Sequence, residues 1–413
     1  MKRFNITKLD NGIKVITEHI PYVESFSLGF WLNVGSRDEI GKNNGISHFI
    51  EHMLFKGTKK RNAKKIAEDI ESLGGYLNAF TSKEHTCFYG RGLKKHLSKT
   101  FEVLADMLQN PLFKTNDIKK ESSVIIDELN DIEDSPEELI FDKFENNIYS
   151  KNSLGRPIIG NEKNISSFNS DDLLKFINEQ YGFNKLFIVA SGNINHLDII
   201  KLAEKFVVKD FGLKKVNRKP IKFNGYTDKY LYKDIQQSHV ILGLPTYGVK
   251  DKERIPISLI SQILGEGSSS RLFQSVRERN GIAYQINTFL NSFYDVSSFG
   301  IYYSTNDKNV HRAQSLIEKE FNKLKTKRIS EKELKRAKEY LKGNIILSLE
   351  STTNRMLRIA QSMIYLDRIK LINETIFEID SITPDDILEY ANRSLNFDKF
   401  NKVVISSNNG ILN

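Results

Sequence analysis

The chain has 413 residues, with 39% hydrophobic and 27% charged residues, which is an ordinary globular composition and argues against disorder or fibrous structure. Lys+Arg is 61 against Asp+Glu 52, a net charge of +9 that raises the question of an anionic partner. The single cysteine, Cys87, excludes an intrachain disulfide and suits a reducing compartment. No run approaches the roughly 18 to 20 apolar residues of a membrane span. Met1-Lys2-Arg3-Phe4-Asn5-Ile6-Thr7 has no apolar signal core and no Arg/Ser-rich leader, so the expectation is a cytoplasmic protein.

Asp10-Asn11-Gly12 between two strand-like runs predicts a hairpin. Ser25 to Val34 reads as a buried strand. Ala63 to Leu73 has helical spacing and stops at Gly74-Gly75, and Tyr76 to Arg91 is strand-like. Leu97 to Gln109 and Asp117 to Asn130 are helical by period, as are the long segments Ser330 to Ser348 and Ser351 to Leu366. Segregated helices and strands predict an α+β fold, a mostly antiparallel sheet with helices packed on one face.

The pattern occurs twice. Asp171-Asp172-Leu173-Leu174-Lys175-Phe176 is echoed 214 positions later by Asp385-Asp386-Ile387-Leu388-Glu389-Tyr390. Phe183-Asn184-Lys185 is echoed by Phe397-Asp398-Lys399 at the same offset, and Ser25 and Gly35 by Ser238 and Gly248 at an offset of 213. The expectation is two homologous domains, 1–212 and 226–413, joined by a Lys/Asn-rich linker at 213–225.

The sharpest local feature is Gly45-Ile46-Ser47-His48-Phe49-Ile50-Glu51-His52-Met53-Leu54-Phe55. On a helix, His48 and His52 at i and i+4 share a face with Glu51. Two imidazoles so placed can bind one metal ion, and the carboxylate beside them can take a proton from water held at that metal. This is H-x-x-E-H, the inverse of a zinc-protease helix motif. Catalytic zinc takes three protein ligands, so a third is needed. Glu121 and Glu128 fall seven apart on one predicted acidic helix and thus on one face, so one can ligate while the other orients a histidine.

With these residues assembled, the whole chain resembles the pitrilysin family of zinc metallopeptidases, in particular the small two-domain branch that includes mitochondrial processing peptidase subunits and bacterial relatives. The distal glutamate matches at Glu128, inside Glu121-Ser122-Ser123-Val124-Ile125-Ile126-Asp127-Glu128. The resemblance implies one Zn2+ per chain held by His48, His52 and Glu128, with Glu51 as general base and Glu121 supporting a ligand. It identifies Gly74-Gly75-Tyr76-Leu77-Asn78-Ala79-Phe80-Thr81-Ser82 with an edge strand that pairs with extended peptides, Asn78, Ala79 and Phe80 facing substrate. Ser269-Ser270-Arg271-Leu272-Phe273 and Arg277-Glu278-Arg279-Asn280-Gly281-Ile282-Ala283-Tyr284 also match, and the family sets an Arg and a Tyr, here Arg277 and Tyr284, opposite the zinc.

The second repeat has Ser261 where the first has His48, and Gly265 where it has His52, so it carries no second metal site. One chain holding both half-sites is expected to close on a copy of itself as a homodimer, with a related subunit as the alternative. The expected activity is zinc-dependent endoproteolysis of unfolded peptides inside a dimeric chamber. The acidic run from Glu121 to Glu145, whose one base is Lys143, favours basic peptides. Two rivals are a catalytically silent structural subunit, against which the intact metal set argues, and a nucleic-acid-binding protein. Lys56, Lys59, Lys60, Arg61, Lys64 and Lys65 form a basic cluster but lack a base-reading motif, so no nucleic-acid partner is expected.

Overall fold

The computed structural model describes residues 3–150, 152–212, 216–221, 223 and 225–408. In chain order the regular elements are β1 (Phe4–Lys8), β2 (Lys14–His19), β3 (Ser25–Leu32), α1 (Ile46–Leu54), α2 (Ala63–Glu71), β4 (Tyr76–Thr81), β5 (Thr86–Leu93), α3 (Leu97–Gln109), α4 (Thr115–Asp134) and α5 (Pro136–Ile148). Then come α6 (Glu162–Ser167), α7 (Ser170–Gln180), β6 (Leu186–Gly192), α8 (His196–Phe206), β7 (Asp228–Tyr232), β8 (Ser238–Tyr247), α9 (Arg254–Gly265), β9 (Gln285–Ser292) and β10 (Val296–Thr305). The last are α10 (Val310–Thr326), α11 (Glu331–Ser348), α12 (Thr352–Leu366), α13 (Ile372–Ser381), α14 (Pro384–Ser394) and β11 (Asn401–Ser406). Each helix expected above falls on one of these, while the strand-like stretch Tyr76 to Arg91 is two antiparallel strands, β4 and β5. No helix among the described residues is long and apolar enough to cross a membrane.

The strands form two sheets of matching topology, β1-β2-β6-β3-β5-β4 and β7-β11-β8-β10-β9. In each, the pair β2/β6 or β7/β11 is parallel and the other neighbours are antiparallel, so both sheets are mostly antiparallel, as expected. The echoed motifs occupy equivalent places. Asn169 with Asp172, and Thr383 with Asp386, form reciprocal caps at the starts of α7 and α14. Phe183–Lys185 and Phe397–Lys399 are short 3-10 turns that feed β6 and β11.

Each sheet lies in its own compact unit: Met1–Asp131 with Arg156–Lys219 and Ser348–Ile369, and Ile132–Gly155 with Pro220–Leu347 and Lys370–Asn413. These units differ from the two sequence halves. In the first, β3 alternates. Phe30 faces α3, where it meets Phe101 edge-on at 5.0 Å, while Ser27 and Gly29 face the other way. That other face is covered by α12, from the second half. Ser27 Oγ lies 2.9 Å from the hydroxyls of Thr352 and Thr353, and buried Glu18 accepts from Arg355 at 2.8 Å. A Cβ on Gly29 would lie 2.8 Å from Met356 Sδ, so glycine lets the helix seat.

The second unit repeats the device. Ile241 of β8 packs with Leu139, Ile140, Phe144 and Ile148 of α5, while Val240, Leu242 and Leu244 join the core on the other face. Gly243, 214 positions after Gly29, would place a Cβ 2.4 Å from Phe144 Cζ. In each unit, helices of the same half cover one face of the sheet, and the opposite face receives one helix from the other half. Burial on both faces explains why Ser25 to Val34 reads as a buried strand.

The expected linker 213–225 lies partly outside the described residues. Within it, Arg218 is fixed: its guanidinium pairs with Asp38 at 2.8 Å and donates to the Glu84 carbonyl at 2.6 Å, beside the buried Arg37–Glu84 pair at 2.6 Å.

Candidate metal centre

Helix α1 begins at Gly45, whose φ of +100° and close approach to the Ile159 carbonyl leave no room for a side chain. Ile46, Phe49, Ile50, Met53 and Leu54 bury one side of the helix. The other carries His48, Glu51 and His52, with the two imidazole centroids 4.6 Å apart. Helix α4 brings Glu128 between them: His48 Nε2 lies 3.7 Å from Glu128 Oε1, and His52 Nε2 lies 3.6 Å from Glu128 Oε2.

The three donor atoms lie within 4.8 Å of one another, and among the described residues this is the one such group of His, Cys, Asp and Glu. Tetrahedral zinc with bonds of about 2.0 to 2.1 Å holds its ligand atoms about 3.4 Å apart. The two histidine–Glu128 separations are a few tenths of an ångström wider, too long for hydrogen bonds and suited to donors that close on one cation. Two imidazoles and a carboxylate are also a donor set zinc accepts. Burial, helped by the neighbouring His52, lowers the His48 pKa to about 4, so at neutral pH its ring is uncharged and offers a lone pair.

Glu121 lies one helical stretch before Glu128 and accepts from His52 Nδ1 at 3.0 Å. Burial disfavours its ionisation, yet that bond and the Lys56 ammonium, 2.5 Å from Oε2, hold its carboxyl below the usual range. An ionised carboxylate only accepts, so Nδ1 carries the hydrogen and Nε2 turns its lone pair toward Glu128. Burial also acts to lower the His52 pKa, but the Glu121 bond and the Glu128 and Glu51 charges outweigh it and raise it. Burial pushes the Glu51 carboxyl up, opposed by a hydrogen bond from Thr81 Oγ1 at 2.6 Å and by the His52 charge.

Thr81 belongs to β4, the last strand of its sheet, so among the described residues one row of β4 backbone groups has no strand partner. Asn78 is exposed there, its amide donating to Tyr76 Oη at 2.7 Å, and Ala79 N–H bonds Asn78 Oδ1 at 2.8 Å. Phe80 packs edge-on against Trp31 at 5.5 Å.

Arg277 and Tyr284 lie in the second unit and adjoin each other, the guanidinium 5.4 Å from the Tyr284 ring and 4.8 Å from that of Phe273. Tyr284 is 73% exposed, which excludes a core role. In the same unit Ser261 and Gly265, the counterparts of the histidines, pack on β9. Ser261 Oγ bonds Thr288 Oγ1 at 2.9 Å, and a Cβ at Gly265 would meet Thr288 N at 2.5 Å. The place of the metal is closed there by backbone contact.

The sequence reading missed Thr81 and Lys56, which act across the fold on Glu51 and Glu121; no local spacing links them. The basic cluster after α1 is largely paired internally. Buried Arg61 bonds Asp69, Glu102 and Asp106, Lys65 pairs with Asp69, Lys64 with Glu68 and Lys56 with Glu121.

Residues 14–162 match the family model "Insulinase (Peptidase family M16)", and residues 167–341 match "Peptidase M16 inactive domain". The chain is 36% identical to an uncharacterized zinc protease of Rickettsia felis, over 95% of each chain. It is also 36% identical to the uncharacterized zinc protease YmxG of Bacillus subtilis, over 90% of this chain and 91% of that one. Among solved structures, a protease from Helicobacter pylori superposes with a TM-score of 0.92 at 22% identity, covering 98% of this chain and 99% of the other. A peptidase M16 inactive domain from Pseudomonas fluorescens gives 0.91 at 19% identity, covering 98% of each; both likenesses speak to the fold. On its family matches and sequence relatives, the chain belongs to peptidase family M16, the insulinase family of zinc peptidases.

Proposed function

We propose that the chain is a zinc-dependent endopeptidase acting on extended, unfolded peptides. The observation that carries this is the convergence of His48, His52 and Glu128 beside Glu51. Zinc held by those three residues supplies a Lewis acid for the scissile carbonyl and acidity for the attacking water. Glu51 does the proton work: a carboxylate oxygen takes the proton as water oxygen bonds the carbonyl carbon, then gives it to the amine nitrogen as the C–N bond breaks. A carboxyl raised by burial is well matched to both tasks. Thr81 holds Oε2 and so aims the base from the strand that receives the peptide. The free edge of β4 pairs with substrate backbone, with Asn78, Ala79 and Phe80 beside it, which gives affinity with little sequence demand.

Arg277 and Tyr284 donate to the developing oxyanion from a second copy of the chain, and the enzyme is a homodimer with one zinc per chain. Basic peptides are favoured by the acidic run from Glu121 to Glu145, and the one buried cysteine fits a cytoplasmic setting. A silent structural subunit would have no use for three converged donors.

Glu51→Gln should abolish peptide cleavage while zinc content stays at the wild-type level; cleavage near the wild-type rate would overturn the assignment. Mixing Glu51→Gln chains with Arg277→Ala chains should restore part of the activity that each lacks alone. No recovery on mixing would refute the contribution from a second copy.

A further inference from the structure

Glu39 is buried, 4% exposed, and precedes α1. Its carboxylate is filled by N–H donors from the approach to that helix. Oε1 accepts from Ser47 N–H at 2.8 Å, and Oε2 accepts from Gly45 N–H at 2.8 Å and Asn44 Nδ2 at 3.0 Å. Asn44 is itself held, donating to the Pro157 carbonyl at 2.9 Å and accepting at its own carbonyl from Asn164 Nδ2 at 3.1 Å. The first N–H groups of a helix lack partners within it, and negative charge is favoured there. A cap side chain normally supplies the acceptor. Here the cap position is Gly45, fixed as glycine by its φ and by the Ile159 carbonyl, so the acceptor comes from six residues upstream. Burial raises the Glu39 pKa to about 7, against the pull of its Ser47, Asn44 and Gly45 bonds. The last of these donors along the chain, the Ser47 N–H, belongs to the residue immediately before His48, so the carboxylate grips the turn from which that imidazole projects.

We propose that Glu39 is a positioning residue for the metal centre: its carboxylate pins the first turn of α1 so that the His48 imidazole meets His52 and Glu128 at one point. This rests on the zinc-peptidase reading.

The test uses the full chain as wild type, Glu39→Gln and Glu39→Asp. Zinc affinity is measured by competition with a chromophoric chelator, and peptide hydrolysis is titrated against free zinc. Glu39→Gln should bind zinc roughly 10- to 100-fold more weakly, the scale of losing an outer-shell partner. Its hydrolysis should reach the wild-type plateau at saturating zinc, with KM unchanged. Glu39→Asp, which keeps the charge on a shorter arm, should fall between. A folded Glu39→Gln protein with wild-type zinc affinity overturns the proposal, and so does a lowered plateau and melting temperature with an unmoved zinc midpoint. If Glu39→Gln does not fold, Glu39→Asp decides by the same affinity comparison. A wild-type chain that binds zinc but cleaves nothing sinks the peptidase reading alone, whereas one that binds no zinc sinks both.

Discussion

Replacing Glu121 by leucine tests how the metal centre is held without touching a ligand. The carboxylate accepts the His52 Nδ1 hydrogen at 3.0 Å, and its side chain is 5% exposed. Leucine fills similar space but leaves that N–H buried without an acceptor. A hydrogen bond to a charged group contributes about 1.5 to 3 kcal/mol, so the loss should weaken zinc binding roughly 10- to 150-fold. Glu121→Gln keeps an acceptor but loses the charge, and neutral bonds are about half as strong, so its loss should be roughly 3- to 10-fold. The Lys56 ammonium freed by either change is 37% exposed and can turn to water, so it adds little. Isothermal titration of zinc into the stripped proteins gives both affinities, and thermal melting without metal checks that each folds. A leucine variant that binds zinc like the wild type would refute the role of Glu121, and a glutamine variant weaker than leucine would refute the ordering by charge.

Glu128→Gln should lose most of its zinc on gel filtration, read by metal analysis; full retention would remove Glu128 from the ligand set. In the metal-free protein, imidazole NMR should place the His48 midpoint near pH 4 and that of His52 above the ordinary histidine value; the reverse order would contradict the described burial and pairing. Because the folded His48 pKa lies below its unfolded value, the unfolded state binds the extra proton, and the metal-free fold is penalised as pH falls from about 6.5 to about 4. Urea unfolding of wild type and His48→Gln at the two ends of that range isolates the effect. Phe144→Ala should destabilise the protein by about 3 to 5 kcal/mol, since the ring is fully buried between α5 and the second sheet; a urea midpoint near wild type would refute that packing.

Much of this centre is legible along the chain because its chemistry obeys helical periodicity. His48, Glu51 and His52 share a face at spacings of three and four, and Glu121 and Glu128 share one at seven; in the structure both histidines face Glu128 and His52 also meets Glu121. The repeat is equally open to inspection, since Asp172 and Asp386 cap equivalent helices and Gly29 and Gly243 admit equivalent ones. What escapes is contact between elements far apart in sequence. Thr81 reaches Glu51, and Arg218 is locked in a salt-bridge cluster inside a stretch whose composition suggests a loose linker. Amphipathic spacing shows that α5 and α12 have faces to bury, but not which sheet receives them.

Helices α5 and α12 occupy matching positions in the two repeats, yet each completes the sheet of the other repeat. A polypeptide one repeat long would therefore lack a lid for the second face of its sheet, and two copies trading this helix would supply each other's. In the present chain both repeats lie on one polypeptide, which makes that exchange within itself. The first half carries the histidines, and the second fills the corresponding place with Ser261, Gly265 and Thr288. Severing the chain near residue 212 would yield two fragments that need each other to fold.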